Sequence, residues 1–297
     1  MKETCDMHIH SFYSDGDLSG VELLKYASKM GLKKLVITDH DCVDFYLDKK
    51  AMELIKDFDY VTGCEFVCSY GNIPIEILGY GIDIKAAKEY LDMYGVTENR
   101  MERYRSDNIP RVFKKHGITL AYNPDSIDFT KKCPMVLEAI HEIILKDDKA
   151  VEFLNAENPN LVKSVSYFLR EGLNNPKSKI FIESNKLYPS YQKITSLIKN
   201  LGGISFLAHP YQYGDNMDSV LEGVKDYVDG IECYHYTTKG TDKSKYLKEF
   251  CNKNNLMISG GSDFHHVGDA LNGLDIPGEY FDKIKVKLGK KAKNISR

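Results

Sequence analysis

A strand pattern that recurs along the chain constrains its fold more than any other feature. Short apolar runs at residues 34–38, 204–208 and 256–261 each end in histidine or carboxylate side chains, and helical stretches lie between them. Continuous apolar runs are typical of buried parallel strands. Strands joined by right-handed helical crossovers form a parallel sheet or barrel, and active sites in such barrels lie at the carboxyl ends of the strands. We therefore expect these polar side chains at one rim.

The first strand and turn, at residues 5–16, carry a pair of candidate metal ligands. Alternate residues of a strand share a face, so His8 and His10 point the same way while Met7 and Ile9 point into the packing. Two imidazoles on one face can chelate one ion. Asp15 in the following turn is a third donor. From this stretch alone, a surface or packing role for the two histidines remains the alternative.

Other predicted strands also end in donors, and only His116 and His141 among the 9 histidines lie away from strand ends. Histidine and carboxylate donors without thiolates suit Zn, Mn, Fe or Co ions. The donors outnumber what one tetrahedral ion needs, so we expect two or three divalent ions. The further candidates are Asp39, His40, Asp41, Glu65, His209, Asp263 and His265.

Composition narrows the class of protein. A net charge of −3 over 297 residues disfavours a basic protein that coats nucleic acid. No apolar run is long enough to span a bilayer and no signal-like run follows Lys2, so we expect a cytoplasmic protein without membrane association. The 7 cysteines are scattered, which is typical of reduced core thiols. A zinc site at Cys64 and Cys68 is the disfavoured alternative, because no second pair accompanies it.

The middle of the chain differs in its sequence pattern from the segments on either side. Between residues 85 and 179, charged helical stretches are interrupted by prolines, and apolar positions such as Ile140 and Ile144 have helical spacing. We interpret residues 85–179 as an inserted helical cap domain. Residues 1–84 and 180–297 then form the α/β domain that carries the donors.

The chain resembles the polymerase and histidinol phosphatase (PHP) family through five ordered motifs. These are Asp-Met-His-Ile-His-Ser at residues 6–11, Thr-Asp-His-Asp at 38–41, Gly-Cys-Glu at 63–65, Ala-His-Pro at 208–210 and Gly-Ser-Asp-Phe-His at 261–265. The resemblance covers both α/β segments. It implies a distorted (β/α)7 barrel with an inserted small helical domain, and a trinuclear metal centre for phosphoester hydrolysis.

The resemblance also implies a partition of the ligands. One ion takes the donors His8, His10, Glu65 and Asp263. Glu65 bridges to a second ion, which His209 also binds. The third ion takes Asp15, His40 and His265.

Glu76 departs from the family pattern. Many family sequences have a histidine in the corresponding apolar segment before Leu-Gly, and it binds the second ion, whereas this chain has Glu76. A carboxylate between apolar neighbours is costly unless a cation pairs with it, so we predict that Glu76 is a ligand. An exposed glutamate on an edge strand is the alternative.

The insert resembles that of nucleoside 3′,5′-bisphosphate phosphatases and 5′ to 3′ exoribonucleases, in which it caps the barrel mouth. Arg100 and Arg103 are candidates to bind a substrate phosphate, with exposed helix arginines as the alternative. Cys-Pro-Met at residues 133–135 replaces an Arg-Pro-His sequence that members often carry, which leaves the substrate open. Lys132, beside Lys131, supplies positive charge there unless the pair is simply solvated.

The expected mechanism follows from charge. Bridging metal ions neutralise phosphate oxygens and lower the pKa of a bound water, so the expected nucleophile is a metal-bound hydroxide at Glu65. His235 is a candidate to orient phosphate or to protonate the leaving oxygen, and a supporting role behind the ligands is the alternative. Ser11 and Ser14 are interpreted as turn residues rather than nucleophiles.

The favoured function is a hydrolase for phosphoric ester bonds that acts on small nucleotides or RNA 5′ ends. A phosphatase for a small metabolite such as histidinol phosphate is an alternative. A non-catalytic PHP module is another, disfavoured because the ligand positions are filled. The expected partner is a small phosphorylated substrate, and nothing in the sequence indicates an obligate protein partner.

Overall fold

The structure is a computed structural model and describes residues 3–94, 98–129, 133–184 and 187–295. The chain divides into two compact units. The first comprises Met1–Tyr94 and Pro189–Arg297, and the second comprises Gly95–Tyr188. The first unit extends beyond residue 84 because Ala87 and Leu91 are buried in its core.

Eight short strands lie in the first unit. They are β1 (Cys5–Asp6), β2 (Lys34–Leu35), β3 (Asp59–Tyr60), β4 (Gly63–Tyr70), β5 (Ile73–Tyr80), β6 (Ile204–Leu207), β7 (Gly230–Tyr234) and β8 (Met257–Gly260). They form a three-stranded sheet in the order β1-β2-β3 and a five-stranded sheet in the order β4-β5-β6-β7-β8.

The α-helices divide between the two units. They are α1 (Gly20–Lys29), α2 (Lys49–Leu54), α3 (Ile84–Tyr94), α4 (Glu98–Lys114), α5 (Cys133–Ile144), α6 (Asp148–Glu157), α7 (Asn160–Lys163), α8 (Val165–Tyr167), α9 (Tyr191–Asn200), α10 (Met217–Val224), α11 (Lys243–Asn254) and α12 (Glu279–Ile295). Helix α1 begins at a capping box, for which the Ser-Gly-Val-Glu sequence at residues 19–22 has the required spacing: Ser19 and Glu22 accept hydrogen bonds from each other's backbone N–H groups. No described helix combines the length and the apolar character that a membrane crossing requires.

The sheet is not parallel throughout, which corrects the prediction of a parallel sheet. β5 runs antiparallel to both β4 and β6, whereas β6, β7 and β8 are mutually parallel. The cause is the Gly71-Asn72 turn, where Gly71 has a φ of 59° and the chain folds back as a hairpin. Residues 59–65, whose apolar run ending in Glu65 predicts a single strand, divide instead between β3 and β4, which belong to different sheets.

Single-residue bridges connect the two sheets. Ile9 pairs with Phe264 and His40 pairs with Glu65, each in the parallel sense. The Met7 N–H also donates to the Gly260 carbonyl at 3.1 Å. The described residues thus form a mixed α/β unit with two sheets, and continuous strand pairing does not close them into a barrel.

Helices and sheets of the first unit enclose two apolar cores. Ile75 and Ile77 on one face of β5 belong to a core packed under α1 and α9, whereas Leu78 and Tyr80 belong to a core that α12 covers. In the second unit, helices α4 to α8 pack around a separate core that includes Phe113, Ile140 and Phe168.

Candidate metal centre

Donor side chains from three separate strands meet at one point of the first unit. His8 and His10 follow β1, Glu65 lies in β4 and Asp263 follows β8. The Asp263 N–H donates to the His8 carbonyl at 2.9 Å, which fixes the ends of β1 and β8 side by side. A Cβ at Gly261 would lie 2.1 Å from the His8 Cβ, so this close approach requires glycine.

These four residues, which we call the donor cluster, place one atom each around a common centre. His8 Nε2 lies 3.1 Å from His10 Nε2, 3.0 Å from Glu65 Oε2 and 3.3 Å from Asp263 Oδ1. His10 Nε2 lies 3.2 Å from each of the two carboxylate oxygens. Ligands of a tetrahedral ion at typical metal–donor distances are separated by about 3.4 Å. The donor cluster therefore matches the size of one tetrahedral site.

The tautomer of His8 supports this interpretation. His8 Nδ1 lies 3.0 Å from Glu232 Oε1, a contact in which only the nitrogen can donate a proton to the carboxylate. In the neutral ring, which is the form that binds a metal ion, the single N–H is then at Nδ1 and the lone pair is at Nε2. That lone pair faces the Nε2 atom of His10 and two carboxylate oxygens, all of which are acceptors or metal donors.

A second set of donors shares Glu65 with the donor cluster. While Glu65 Oε2 faces the cluster, Glu65 Oε1 lies 3.0 Å from His209 Nε2. Glu76 Oε2 lies 3.3 Å from the same nitrogen, so the structure brings Glu76 to the site, 28% exposed. His40 Nδ1 lies 3.2 Å from Glu65 Oε2. His40, Glu65 and Glu76 have donor atoms close enough to share an ion.

A third set surrounds Asp15. Asp15 Oδ2 lies 3.3 Å from His265 Nε2 and 3.8 Å from His40 Nε2, and Asp15 Oδ1 lies 3.5 Å from His10 Nδ1. The Nδ1–H of His265 donates to the Asp263 carbonyl at 2.8 Å, which leaves the Nε2 lone pair of His265 toward Asp15. The nine residues assigned as ligands from the resemblance and from the position of Glu76 thus lie in these three adjoining sets, whereas the candidates Asp39 and Asp41 do not.

Glu232 was not predicted from the sequence, and its carboxylate accepts hydrogen bonds from two of these donor residues, His8 and His209. Glu232 is fully buried in β7; besides its contact with His8, its Oε2 accepts the His209 N–H at 2.8 Å. A carboxylate that orients a ligating histidine is a common feature of metal sites. The signal was present, because Glu232 is an acid within the apolar run 230–234, as Glu76 is within its own run.

Asp39 organises the loop that carries Asp15. Its carboxylate accepts hydrogen bonds from the Ser11 N–H at 2.7 Å, the Ser11 hydroxyl at 2.6 Å and the Ser14 hydroxyl at 2.7 Å. These contacts agree with the interpretation of Ser11 and Ser14 as turn residues. They also use Asp39 in the loop rather than in a donor set.

The acids and bases of the site shift each other's pKa values. Burial raises the pKa of Glu65, but His8 and His40 outweigh it and hold that pKa well below the usual range. Burial and His40 lower the pKa of His10, yet hydrogen bonds to Asp263 and Glu65 raise it to about 9. Without a cation the imidazoles therefore bind protons at neutral pH, and a divalent ion replaces those protons.

The pKa of His209 behaves in the same way. Burial lowers it, while the Glu65 hydrogen bond and the Glu76 charge raise it to about 9. For Asp263, burial raises the pKa, but His8 and His10 hold it well below the usual range. A buried group of anionic oxygens and imidazoles with these properties suits a divalent cation of the borderline or hard class.

Backbone strain is concentrated at the same place. His209 and Asp263 have φ values of 24° and 53°, and Asp41, next to His40, has a φ of 41°. Left-handed conformations of residues other than glycine cost about 1–3 kcal/mol each and persist where the surrounding structure imposes them. These two conformations direct the side chains of His209 and Asp263 toward the site from the ends of β6 and β8.

His235 is buried beside the donor cluster. Its Nε2 lies 3.2 Å from Asp263 Oδ2, the oxygen that faces away from the donor cluster. Like Glu232, His235 therefore contacts a predicted ligand without belonging to one of the three donor sets.

The predicted phosphate-binding residues of the insert lie in the second unit. Arg100 is exposed on α4. Arg103 bonds Asp125 at 2.7 Å and Asp107 at 3.2 Å, so two carboxylates already contact its guanidinium. Lys132 lies outside the described residues.

Comparisons with known proteins show the family and a shared fold. The sequence profile of the PHP domain matches residues 6–242. The 3′,5′-nucleoside bisphosphate phosphatase of Chromobacterium violaceum is 23% identical over 282 residues, which are 91% of this chain and 90% of that protein. The 5′-3′ exoribonuclease of Haemophilus influenzae is 24% identical over 89% of this chain and 91% of its own length. A solved structure of an amidohydrolase from Chromobacterium violaceum with bound sulfate superposes with a TM-score of 0.64 at 22% identity, covering 95% and 96% of the two chains.

Proposed function

Because this chain belongs to the PHP domain family, we propose that it is a metal-dependent hydrolase of phosphoric esters that acts on nucleotides or RNA 5′ ends. The donor cluster is the observation that carries this proposal, because four potential ligands converge at tetrahedral spacing in a buried site. The names of two relatives that match nearly the whole chain, a nucleoside bisphosphate phosphatase and an exoribonuclease, support the substrate class.

We assign the donors to two or three divalent ions, Mn, Zn or Fe. The donor cluster holds one ion, and Glu65, Glu76 and His209 hold a second. Asp15, His40 and His265 hold a third. When bound, such ions neutralise phosphate oxygens and lower the pKa of water.

The remaining residues of the site hold these donors in place. Glu232 fixes the His8 ring and the His209 backbone. His235 positions Asp263, because its Nε2–H is directed to Asp263 Oδ2. That contact favours a positioning role for His235 over protonation of a leaving oxygen or direct substrate binding, since the same N–H cannot serve both partners at once.

The finer architecture is also a proposal. We interpret the two sheets as arcs of the distorted (β/α)7 barrel, joined through the bridges at Ile9–Phe264 and His40–Glu65. The capping role of residues 85–179, phosphate binding by Arg100, Arg103 and Lys132, and a cytoplasmic location stay predictions from the sequence.

Phosphate release tests the proposed function. The protein is treated with a chelator, dialysed and supplied with Mn²⁺, and then assayed with a nucleoside 3′,5′-bisphosphate, a 5′-phosphorylated oligoribonucleotide and histidinol phosphate. We expect Mn²⁺-dependent release from one of the first two at a kcat/KM at least tenfold above that for histidinol phosphate. Preference for histidinol phosphate would support the small-metabolite alternative, and no release from any ester would support a non-catalytic module.

The assignment of Glu76 has its own test. Carboxylate oxygen is a harder ligand than imidazole, so Glu76 favours Mn²⁺ or Mg²⁺ over Zn²⁺ relative to the histidine common in the family. Glu76→Ala should lose one equivalent of metal, measured by elemental analysis. Glu76→His should keep that equivalent and shift the metal preference toward Zn²⁺. Full metal content and an unchanged rate in Glu76→Ala would remove Glu76 from the ligand set.

A further inference from the structure

The loop after β7 holds a half-exposed aromatic ring against His235, which contacts the donor Asp263. Tyr236 lies in the 3-10 turn Tyr236–Thr238 and is 51% exposed. Its ring packs against the buried ring of His235 in a tilted arrangement, with the centroids 4.2 Å apart and the planes at 42° to each other. One face of the tyrosine therefore has a fixed support.

A single side chain separates Tyr236 from the donor cluster. His235 contacts Tyr236 with its ring and Asp263 with its Nε2 atom, and the other oxygen of Asp263 belongs to the cluster. A ligand whose phosphate reaches the cluster therefore has the tyrosine ring within the reach of its next few atoms.

The turn is tied at both ends, so the ring is positioned before any ligand binds. The His235 N–H donates to Thr238 Oγ1 at 3.0 Å, and the Thr238 hydroxyl and N–H both donate to the His235 carbonyl at 2.8 Å. Because these hydrogen bonds fix the backbone of the turn, the loop loses little entropy when a ligand binds.

We propose that Tyr236 is the stacking platform for the nucleobase of the substrate and sets the preference for nucleotides over other phosphate esters. This inference rests on the proposed function. Every nucleobase has a π-face, and a supported, half-exposed tyrosine offers a matching one without reading base identity. Tyr236 then selects nucleotides as a class, and discrimination among bases is weak.

The test compares ligands with and without a base. Adenosine 3′,5′-bisphosphate and ribose 5-phosphate are titrated into the metal-loaded protein at low temperature by calorimetry, and their hydrolysis is followed in parallel. We expect Tyr236→Ala to weaken binding of the nucleotide and lower its kcat/KM by about 5- to 150-fold, with ribose 5-phosphate changed less than twofold. Tyr236→Phe should retain nucleotide binding, because the ring remains.

Tyr227→Ala is the matched control. Tyr227 is also half exposed, at 50%, but its ring packs on Tyr191 with centroids 5.2 Å apart. We expect it to leave both ligands unaffected.

Three outcomes would overturn the stacking role. They are equal losses for both ligands in Tyr236→Ala, nucleotide binding that does not change, and wild-type protein that binds the nucleotide no more tightly than ribose 5-phosphate. Failure of the proposed function is distinguishable, because it appears in the wild type as nucleotide binding without release of phosphate from any nucleotide.

Discussion

Two buried groups of charged side chains, one in each unit, differ in how they are satisfied. In the second unit, Arg105 donates to Glu102, to Ser184 Oγ at 3.3 Å and to Asn174 Oδ1 at 2.9 Å, so donors meet acceptors. In the donor cluster of the first unit, lone pairs and anionic oxygens face each other. In the first arrangement a guanidinium already faces a carboxylate, whereas the second needs protons or a cation between its lone pairs and anionic oxygens.

The comparison teaches how a structural ion pair differs from a metal site when both are buried. Arg105 and Glu102 are each less than 5% exposed, and His8 and Glu65 are fully buried, so burial does not separate them. The direction of donors and acceptors does. Changes that break each network should therefore have different signatures, in metal binding for one and in stability for the other.

The largest effect is expected from Asp263→Asn. Asparagine keeps the shape and tolerates the left-handed φ of 53°, but it removes an anionic ligand. We expect loss of at least one equivalent of metal and of all measurable phosphate release, with an unchanged circular dichroism spectrum. Asp275→Asn is the control, because Asp275 also has a positive φ, at 49°, and is outside the donor sets. Activity in Asp263→Asn near that of the wild type would contradict the assignment.

Arg105→Met should act on stability alone. Removing one partner of a buried ion pair costs about 3–5 kcal/mol, because Glu102 keeps a buried charge. Urea unfolding of the metal-free protein measures this loss in the free energy of unfolding. The double variant with Glu102→Met should recover most of the loss, while metal content stays at the wild-type value in both. A single variant as stable as the wild type would show that this network contributes nothing.

The two networks should also differ in their response to pH. In chelator, the raised pKa values of His10 and His209, about 9 against about 6.5 unfolded, stabilise the folded state below pH 6.5. That stability is lost as pH rises through 9, by about 3 kcal/mol, since both histidines contact Glu65 and their shifts are not additive. Melting temperatures between pH 6.5 and 9.5 measure the slope. Arg105→Met should keep the same slope, and a flat profile in the wild type would argue against protonated imidazoles.

Glu232→Gln should have the smallest effect of the four. Glutamine can still accept one hydrogen bond, but the negative charge behind His8 is lost, so metal affinity should fall about 10- to 100-fold. Competition with a chromophoric chelator measures the affinity. Glu222→Gln, which alters only a surface pair with Lys225 on α10, is the control. Equal affinities in the two variants would mean that Glu232 does not tune the site.

The sequence predicted strand ends well and strand directions less well. Apolar runs and their terminal donors are local features, so the positions of β2, β6 and β8 could be read from them. The Gly71-Asn72 turn predicts that residues 73–81 return along β4, and this is confirmed, but the antiparallel pairing of β5 with β6 joins segments on either side of the inserted helices and is not a local feature. The break between β3 and β4 is a tertiary effect, because the two strands join different sheets.

For the site, the sequence indicated which residues donate but not how they are supported. Two-residue alternation placed His8 and His10 on one face, and the strand-end rule brought Asp263 to them. Glu232 was missed although the argument that selected Glu76, an acid within an apolar run, applies to it as well. The two roles considered for His235 could not be separated from the sequence, because its contact with Asp263 depends on the turn at Thr238.

The contact between the ends of β1 and β8 bears on the rate at which the protein unfolds. His8 and Asp263 are distant in sequence, and closing so long a loop has a large entropy cost, so we expect their contact to form late in folding. An ion bound by both residues would then add an interaction that forms after the rate-limiting step of folding. Interactions absent from the transition state slow unfolding and leave the refolding rate nearly unchanged. Metal should therefore prolong the lifetime of the folded protein, and stopped-flow unfolding with and without chelator measures that lifetime.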